Sequence, residues 1–151
     1  MILEILAAAA GTAAFSNLFG VPGKYWSYCG VVGGAGWMVN LLAESFTGPI
    51  TAVFAATVMV AFLSRLMAVI KHCPATVFCI PGIFLLVPGI GIYWTVYYLV
   101  TDCLSDALYA GYCAVQMAVA IVFGIVLVFE IPQKFFGKIG KFIIKNKNRE
   151  I

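Results

Sequence analysis

The sequence predicts an all-α integral membrane protein of five hydrophobic segments, the fourth of them broken, followed by a C-terminal amphipathic helix. Of its 151 residues, 64% are hydrophobic and only 10% are charged, and the mean hydropathy is +1.06. A soluble domain of this size needs a largely polar surface, which so few charged residues do not supply. Charge-poor runs of membrane-spanning length also recur along the whole chain.

Turn signals and prolines separate the five segments. The first runs from about Ile2 to Phe19 and ends at Gly20-Val21-Pro22-Gly23, which is a typical turn sequence. The others run from about Tyr25 to Ala43, Pro49 to Ile70, Ala75 to Thr101 and Asp106 to Ile131. We therefore expect a transmembrane helical domain over residues 1–131 and a basic cytoplasmic tail over residues 132–151.

The distribution of charge predicts the orientation in the membrane. If the tail is cytoplasmic and the chain crosses at every segment, all lysines and arginines fall on the cytoplasmic side. The carboxylates that then fall outside are Glu4, Glu44, Asp102 and Asp106. Positively charged loops mark the cytoplasmic side of membrane proteins. We expect a multi-pass protein of the cell membrane, the inner membrane in a cell with two, whose N-terminus is outside and whose C-terminus is cytoplasmic.

The C-terminal tail is basic and amphipathic. Six of the nine lysines and arginines lie between Lys134 and Arg149. At helical spacing, the apolar side chains of residues 135–145 share one face and the lysines share the opposite one. Such a helix is expected to lie on the surface of anionic lipid. Because no nucleic-acid-binding motif accompanies these charges, nucleic acid is not an expected partner.

The fourth segment contains two proline–glycine pairs, Pro81-Gly82 and Pro88-Gly89. Proline lacks an N–H and clashes with the carbonyl group four residues earlier, while glycine readily leaves the helical conformation. We predict two half-helices, Ala75–Leu85 and Gly89–Thr101, that meet near Pro88. This break falls close to the middle of the segment and hence of the membrane.

The break predicts a binding site for a solute that carries a carboxylate. Backbone groups freed within hydrocarbon must be satisfied by protein, water or substrate, and many secondary transporters bind substrate at such breaks. The free N–H groups and the positive dipole end of the second half-helix favour an anion. We predict substrate binding at Pro88, Gly89 and Gly91. The alternative is a proline kink that only shapes the helix bundle.

Three further side chains are candidates for substrate contact. Asn40 and Gln116 are amides deep within their segments, where each needs a partner or a water-lined cavity. The alternative for both is a hydrogen bond between helices. Tyr93 lies beside the break and is a candidate for lining a cavity. Its alternative is an interfacial aromatic belt that also contains Trp94, Tyr97 and Tyr98.

The second segment is rich in glycine, and Gly30 and Gly34 form a GxxxG pair. Small residues at this spacing allow close contact between helix backbones. We expect this face to pack against another segment or against a partner chain.

The sequence contains no pattern typical of a catalytic or metal site. It has five cysteines without a CxxC pair, so neither a zinc site nor a disulfide framework is supported. It also lacks a pairing of a nucleophile with a base. We therefore expect neither an enzyme nor a cofactor.

Three stretches of the chain resemble the threonine/serine exporter family. They are GTAAFSNLFGVP at 11–22, GVVGGAGW at 30–37 and PATVFCIPGIFLLVPG at 74–89. The last is the most specific, since the family pattern there ends in PLVPG, and this chain has Leu85 in place of the first proline. The similarity covers about Gly11 to Phe129 and is strongest to the C-terminal half of the family, in particular the small subunit of its split two-subunit form.

The resemblance implies a function and a partner. The function is export of small amino acids such as threonine and serine, or of small dicarboxylates, driven by an ion or substrate gradient. The partner is a larger membrane subunit similar to the family's N-terminal half, and self-association is its alternative. The rival hypotheses are a channel and a membrane assembly or scaffold subunit that transports nothing.

The predicted orientation can be tested with a short epitope tag at the C-terminus. Because the basic tail is expected in the cytoplasm, an antibody should bind the tag only after the cells are permeabilised. Binding to the tag on intact cells would contradict the orientation.

Overall fold

The computed structural model describes residues 1–133 and Phe136, and the regular secondary structure of this part of the chain is helical. Its helices are α1 (Ile2–Leu18), α2 (Trp26–Thr47), α3 (Pro49–Lys71), α4 (Thr76–Phe84), α5 (Gly89–Val100) and α6 (Leu104–Phe129), with a short 3₁₀ turn at Gly23–Tyr25 before α2. The predicted all-α class is confirmed. Apart from Phe136, the predicted C-terminal amphipathic helix lies outside the described residues.

Two of the described helices are long and apolar enough to cross a membrane on their own. They are α3, with 23 residues, and α6, with 26 residues. Together α4 and α5 form a third candidate span, bent by 47° at the break between them. The helix α1 is apolar but has only 17 residues, and the glycines and polar residues of α2 lower its hydropathy. By length and composition the described residues thus provide two or three spans, and the count of five stays a prediction.

The turn between α2 and α3 depends on a glycine followed by a proline. Gly48 has a φ of 91°, which is in the region that favours glycine. Pro49 then occupies the first turn of α3, where its missing N–H would have had no helical acceptor. This short connection holds α2 and α3 as antiparallel neighbours.

The helices α2 and α3 form the centre of the fold. The helix α2 packs against α1, α3 and α4, whereas α3 packs against α2, α4 and α6. The core between them contains Cys29, Val32, Ala56, Val60 and Phe78, all fully buried. The helix α5 packs on α6 and has no buried residue, so the second half of the broken segment extends from this core.

The glycines of α2 let α1 approach it closely. A Cβ at Gly30 would lie 3.0 Å from the carbonyl oxygen of Ala9, and one at Gly34 would lie 3.1 Å from the Cβ of Ala9. A Cβ at Gly33 would overlap the side chain of Thr12, which is fully buried. The GxxxG face therefore packs against α1, as expected from the sequence.

The C-terminal end of α6 is bound by Arg65 of α3. One guanidinium nitrogen of Arg65 donates to the carbonyl oxygens of Val128 at 2.6 Å, Phe129 at 3.2 Å and Ile131 at 2.7 Å. The last carbonyl groups of a helix have no partner within it, and a cation there also favours the negative end of the dipole. Gly124 adds a close contact between the two helices, since a Cβ there would lie 3.0 Å from Thr57.

Gly33→Ala is expected to destabilise the fold by about 1–3 kcal/mol, because the added methyl overpacks the contact with Thr12. The thermal unfolding midpoint in detergent measures the loss. Gly11→Ala on the facing helix is the matched control. Its nearest neighbour would be the Leu85 Cδ2 at 3.9 Å, so it should be neutral or slightly stabilising. Equal midpoints for the two variants would contradict the packing described here.

Candidate functional site

The break in the fourth segment lies where the sequence predicts it. The helix α4 ends at Phe84 and α5 begins at Gly89, so both half-helices agree with the prediction to within one residue at each end. Pro88 has φ −75° and ψ 56°, which is outside the helical region. The four residues 85–88 therefore form an irregular link between two helices.

The first turn of α5 has backbone donors without helical acceptors. The N–H of Gly89 bonds to the carbonyl of Val87 at 2.7 Å, and the first bond of α5 joins the N–H of Ile92 to the carbonyl of Pro88 at 3.1 Å. The N–H groups of Ile90 and Gly91 precede this bond and have no acceptor within the helix. This end of α5 also carries the positive end of the helix dipole.

A cavity of about 330 Å³ lies against this end of α5. It is bounded by the break, by the C-terminal half of α2, by the first turns of α3 and by the middle of α6. Its lining consists of Trp37, Asn40, Val53, residues 85–91, Cys113, Ala114 and Met117. Among the described residues, none that lines the cavity carries a charge.

Two polar side-chain atoms in the cavity wall have no hydrogen-bond partner in the described part of the chain. They are the indole Nε1 of Trp37, a donor, and the Oδ1 of Asn40, an acceptor, and both atoms are buried. Asn40 is only 8% exposed. An unsatisfied buried polar group costs about 1–3 kcal/mol. Both residues line the cavity, but neither atom has accessible surface in this structure, so a ligand in the cavity reaches them only after the side chains move.

The structure brings four of the predicted site residues together. Asn40, Pro88, Gly89 and Gly91 all line the cavity. Gly91 has a second role, because a Cβ there would lie 3.3 Å from the Cβ of Ala114. It therefore also lets α5 pack closely against α6.

The other two predicted residues do not line the cavity. Gln116 donates to the hydroxyl oxygen of Tyr112 on its own helix at 2.9 Å. Tyr93 is 62% exposed and belongs to a cluster of stacked aromatic rings on α5 with Trp94, Tyr97 and Tyr98. A role for Gln116 or Tyr93 in substrate binding stays a prediction.

Trp37 lines the cavity but was not among the residues predicted from the sequence. The sequence nevertheless contains a usable signal, because Trp37 precedes Asn40 by three residues, and residues three apart share a face of a helix. A buried indole N–H also needs a partner. These two facts together would have placed Trp37 beside Asn40.

Broken membrane helices of this kind occur at the binding sites of many secondary transporters. The chain belongs to the family described as Threonine/Serine exporter, ThrE, whose sequence model matches residues 4–131. This confirms the resemblance found in the sequence. The chain is thus a transmembrane transport protein of an amino-acid exporter family. No curated protein and no solved structure matches it.

Asn40→Leu is expected to leave stability unchanged or to raise it by about 1 kcal/mol, because it removes a buried acceptor that has no partner while keeping a similar volume. Thermal unfolding in detergent measures the change. Asn17→Leu, at an exposed position of α1, controls for the general effect of this substitution in a helix. A clear loss of stability in Asn40→Leu alone would show that Asn40 has a structural partner.

Proposed function

We propose that this chain is a subunit of a secondary transporter that exports small amino acids of the threonine and serine type, and that the cavity at the break is its substrate site. The observation that carries the proposal is the meeting of three unpaired elements in one cavity. These are the N-terminal end of α5, the Nε1 of Trp37 and the Oδ1 of Asn40. Each supplies a hydrogen-bonding group that the described part of the chain does not use.

The polarity of these groups matches a zwitterionic amino acid. The free N–H groups of Ile90 and Gly91 suit the carboxylate. The Oδ1 of Asn40 suits a donor, which is the ammonium group or a side-chain hydroxyl. The indole N–H of Trp37 suits an oxygen of the same substrate. A zwitterionic amino acid can make all three contacts although it has no net charge.

The cavity is less suited to a dicarboxylate. Such a solute would bring two negative charges to a lining that offers no cationic side chain among the described residues. Burial of a charge without a partner is costly, and one helix end compensates only part of it. We therefore favour an amino acid over a dicarboxylate as the exported solute.

The proposal includes a larger membrane subunit as partner, similar to the N-terminal half of the family. The helix α5 supports it, since all twelve of its residues are at least partly exposed and its main packing partner in the described residues is α6. A second copy of this chain is the alternative partner. In the proposed orientation the N-terminus is outside and the C-terminus is cytoplasmic, so α2 and α6 place the cavity toward the outer half of the membrane.

Gly89→Leu should abolish export while leaving membrane insertion intact. A Cβ at Gly89 would meet no atom within 4 Å, so the larger side chain fits the fold but occupies the space beside the free N–H groups. Release of threonine or serine from preloaded cells measures export, and the amount of protein in the membrane fraction measures insertion.

Val96→Leu is the matched control, at an exposed position of the same helix that does not line the cavity. It should export at the wild-type rate. Unchanged export by Gly89→Leu would show that the substrate site is not at the break. Absence of any flux from the wild-type chain, alone or with a co-purified subunit, would favour a scaffold.

A further inference from the structure

A second cavity lies beside the first. It has a volume of about 350 Å³ and is lined by Glu4, Ala7 and Ala8 of α1 together with Trp37 and Leu85. Glu4 is exposed, so this cavity reaches the surface near the N-terminal end of α1. Trp37 and Leu85 line both cavities, and their side chains therefore stand between them.

The two side chains come from different elements. Trp37 projects from α2, while Leu85 belongs to the irregular link 85–88 and its Cδ2 approaches α1 at Gly11. No side-chain hydrogen bond holds Trp37 in the described part of the chain, because its Nε1 has no partner. Leu85 is held by apolar contacts alone. The boundary between the cavities thus consists of one side chain from α2 and one from the link. In the described residues no side-chain hydrogen bond fixes either of them.

We infer that Trp37 and Leu85 divide the substrate cavity from the second cavity, and that the indole N–H of Trp37, buried in this structure, becomes accessible and binds the amino acid when the divider opens. The role of the indole rests on the proposed function, whereas the divider itself does not. In this arrangement the second cavity is a path between the substrate site and the surface near Glu4. Trp37 then has two roles, since its ring closes this path and its N–H binds the solute.

Cys113 provides a reporter, because it lines the substrate cavity and not the second one. The background variant replaces Cys73 and Cys103 with serine, since these are the other cysteines with some exposure, while Cys29 and Cys79 are buried. The full chain, with any subunit that co-purifies, is placed in lipid nanodiscs. A charged methanethiosulfonate reagent then labels Cys113 from the aqueous phase.

Shortening either side chain of the divider should speed this labelling several-fold. The variants are Trp37→Ala and Leu85→Ala, and Leu85→Ala carries the test if Trp37→Ala does not elute as a single folded species. Met38→Ala is the control, at an exposed neighbouring position that lines neither cavity, and it should label at the background rate. Folded Ala variants that also label at the background rate would overturn the divider.

Trp37→Phe separates the two roles of this residue. Its ring still closes the path, so the labelling rate without solute should stay at the background value. The lost N–H should weaken the protection of Cys113 by L-threonine several-fold. Equal protection in Trp37→Phe and in the background would overturn the contact with the indole. If L-threonine gives no protection in the background itself, the proposed function fails, and the labelling rates of the Ala variants still decide the divider.

Discussion

The structure depends on the rule that a peptide group within hydrocarbon needs a hydrogen-bond partner. Pro88 precedes the first turn of α5, where the N–H groups of Ile90 and Gly91 have no acceptor within the helix. Those groups cannot face acyl chains without a cost of several kcal/mol. Residues of α2, α3 and α6 flank one side of the break, and the cavity lies between them and the start of α5. The break in this one segment thus places unpaired backbone N–H groups beside the cavity.

Glycines allow α2 and α3 to pack closely against α4, next to the break. A Cβ at Gly82 of α4 would lie 2.8 Å from the Cγ1 of Val60, and a Cβ at Gly36 of α2 would overlap the other methyl group of the same valine. The helices α2, α3 and α4 therefore meet around Val60. Asn40 follows Gly36 by one helical turn on the same face, which directs it toward the link between α4 and α5.

The break was predictable within one residue at each end because proline and glycine act on the backbone where they stand. Asn40 was predicted as a candidate because a buried amide in an apolar helix needs a polar neighbour, and it does line the cavity. The positions of the Gln116 and Tyr93 side chains were not predictable, because the direction of a side chain depends on how the whole helix is rotated in the bundle. For Gln116 that rotation left it beside Tyr112, one turn away. The number of spans is harder to predict than the break. The helix α2 is long enough to span a membrane, but its glycines and polar residues make it only moderately apolar.

The contact of Arg65 with the end of α6 has a consequence for biosynthesis. Its carbonyl acceptors lie 63 to 66 residues further along the chain, so they are synthesised well after α3 itself. Until α6 is in place, this guanidinium group has to be solvated by water or by lipid headgroups at the membrane surface. Arrival of α6 therefore replaces solvent around Arg65 with backbone carbonyl groups and joins α3 to the C-terminal end of α6.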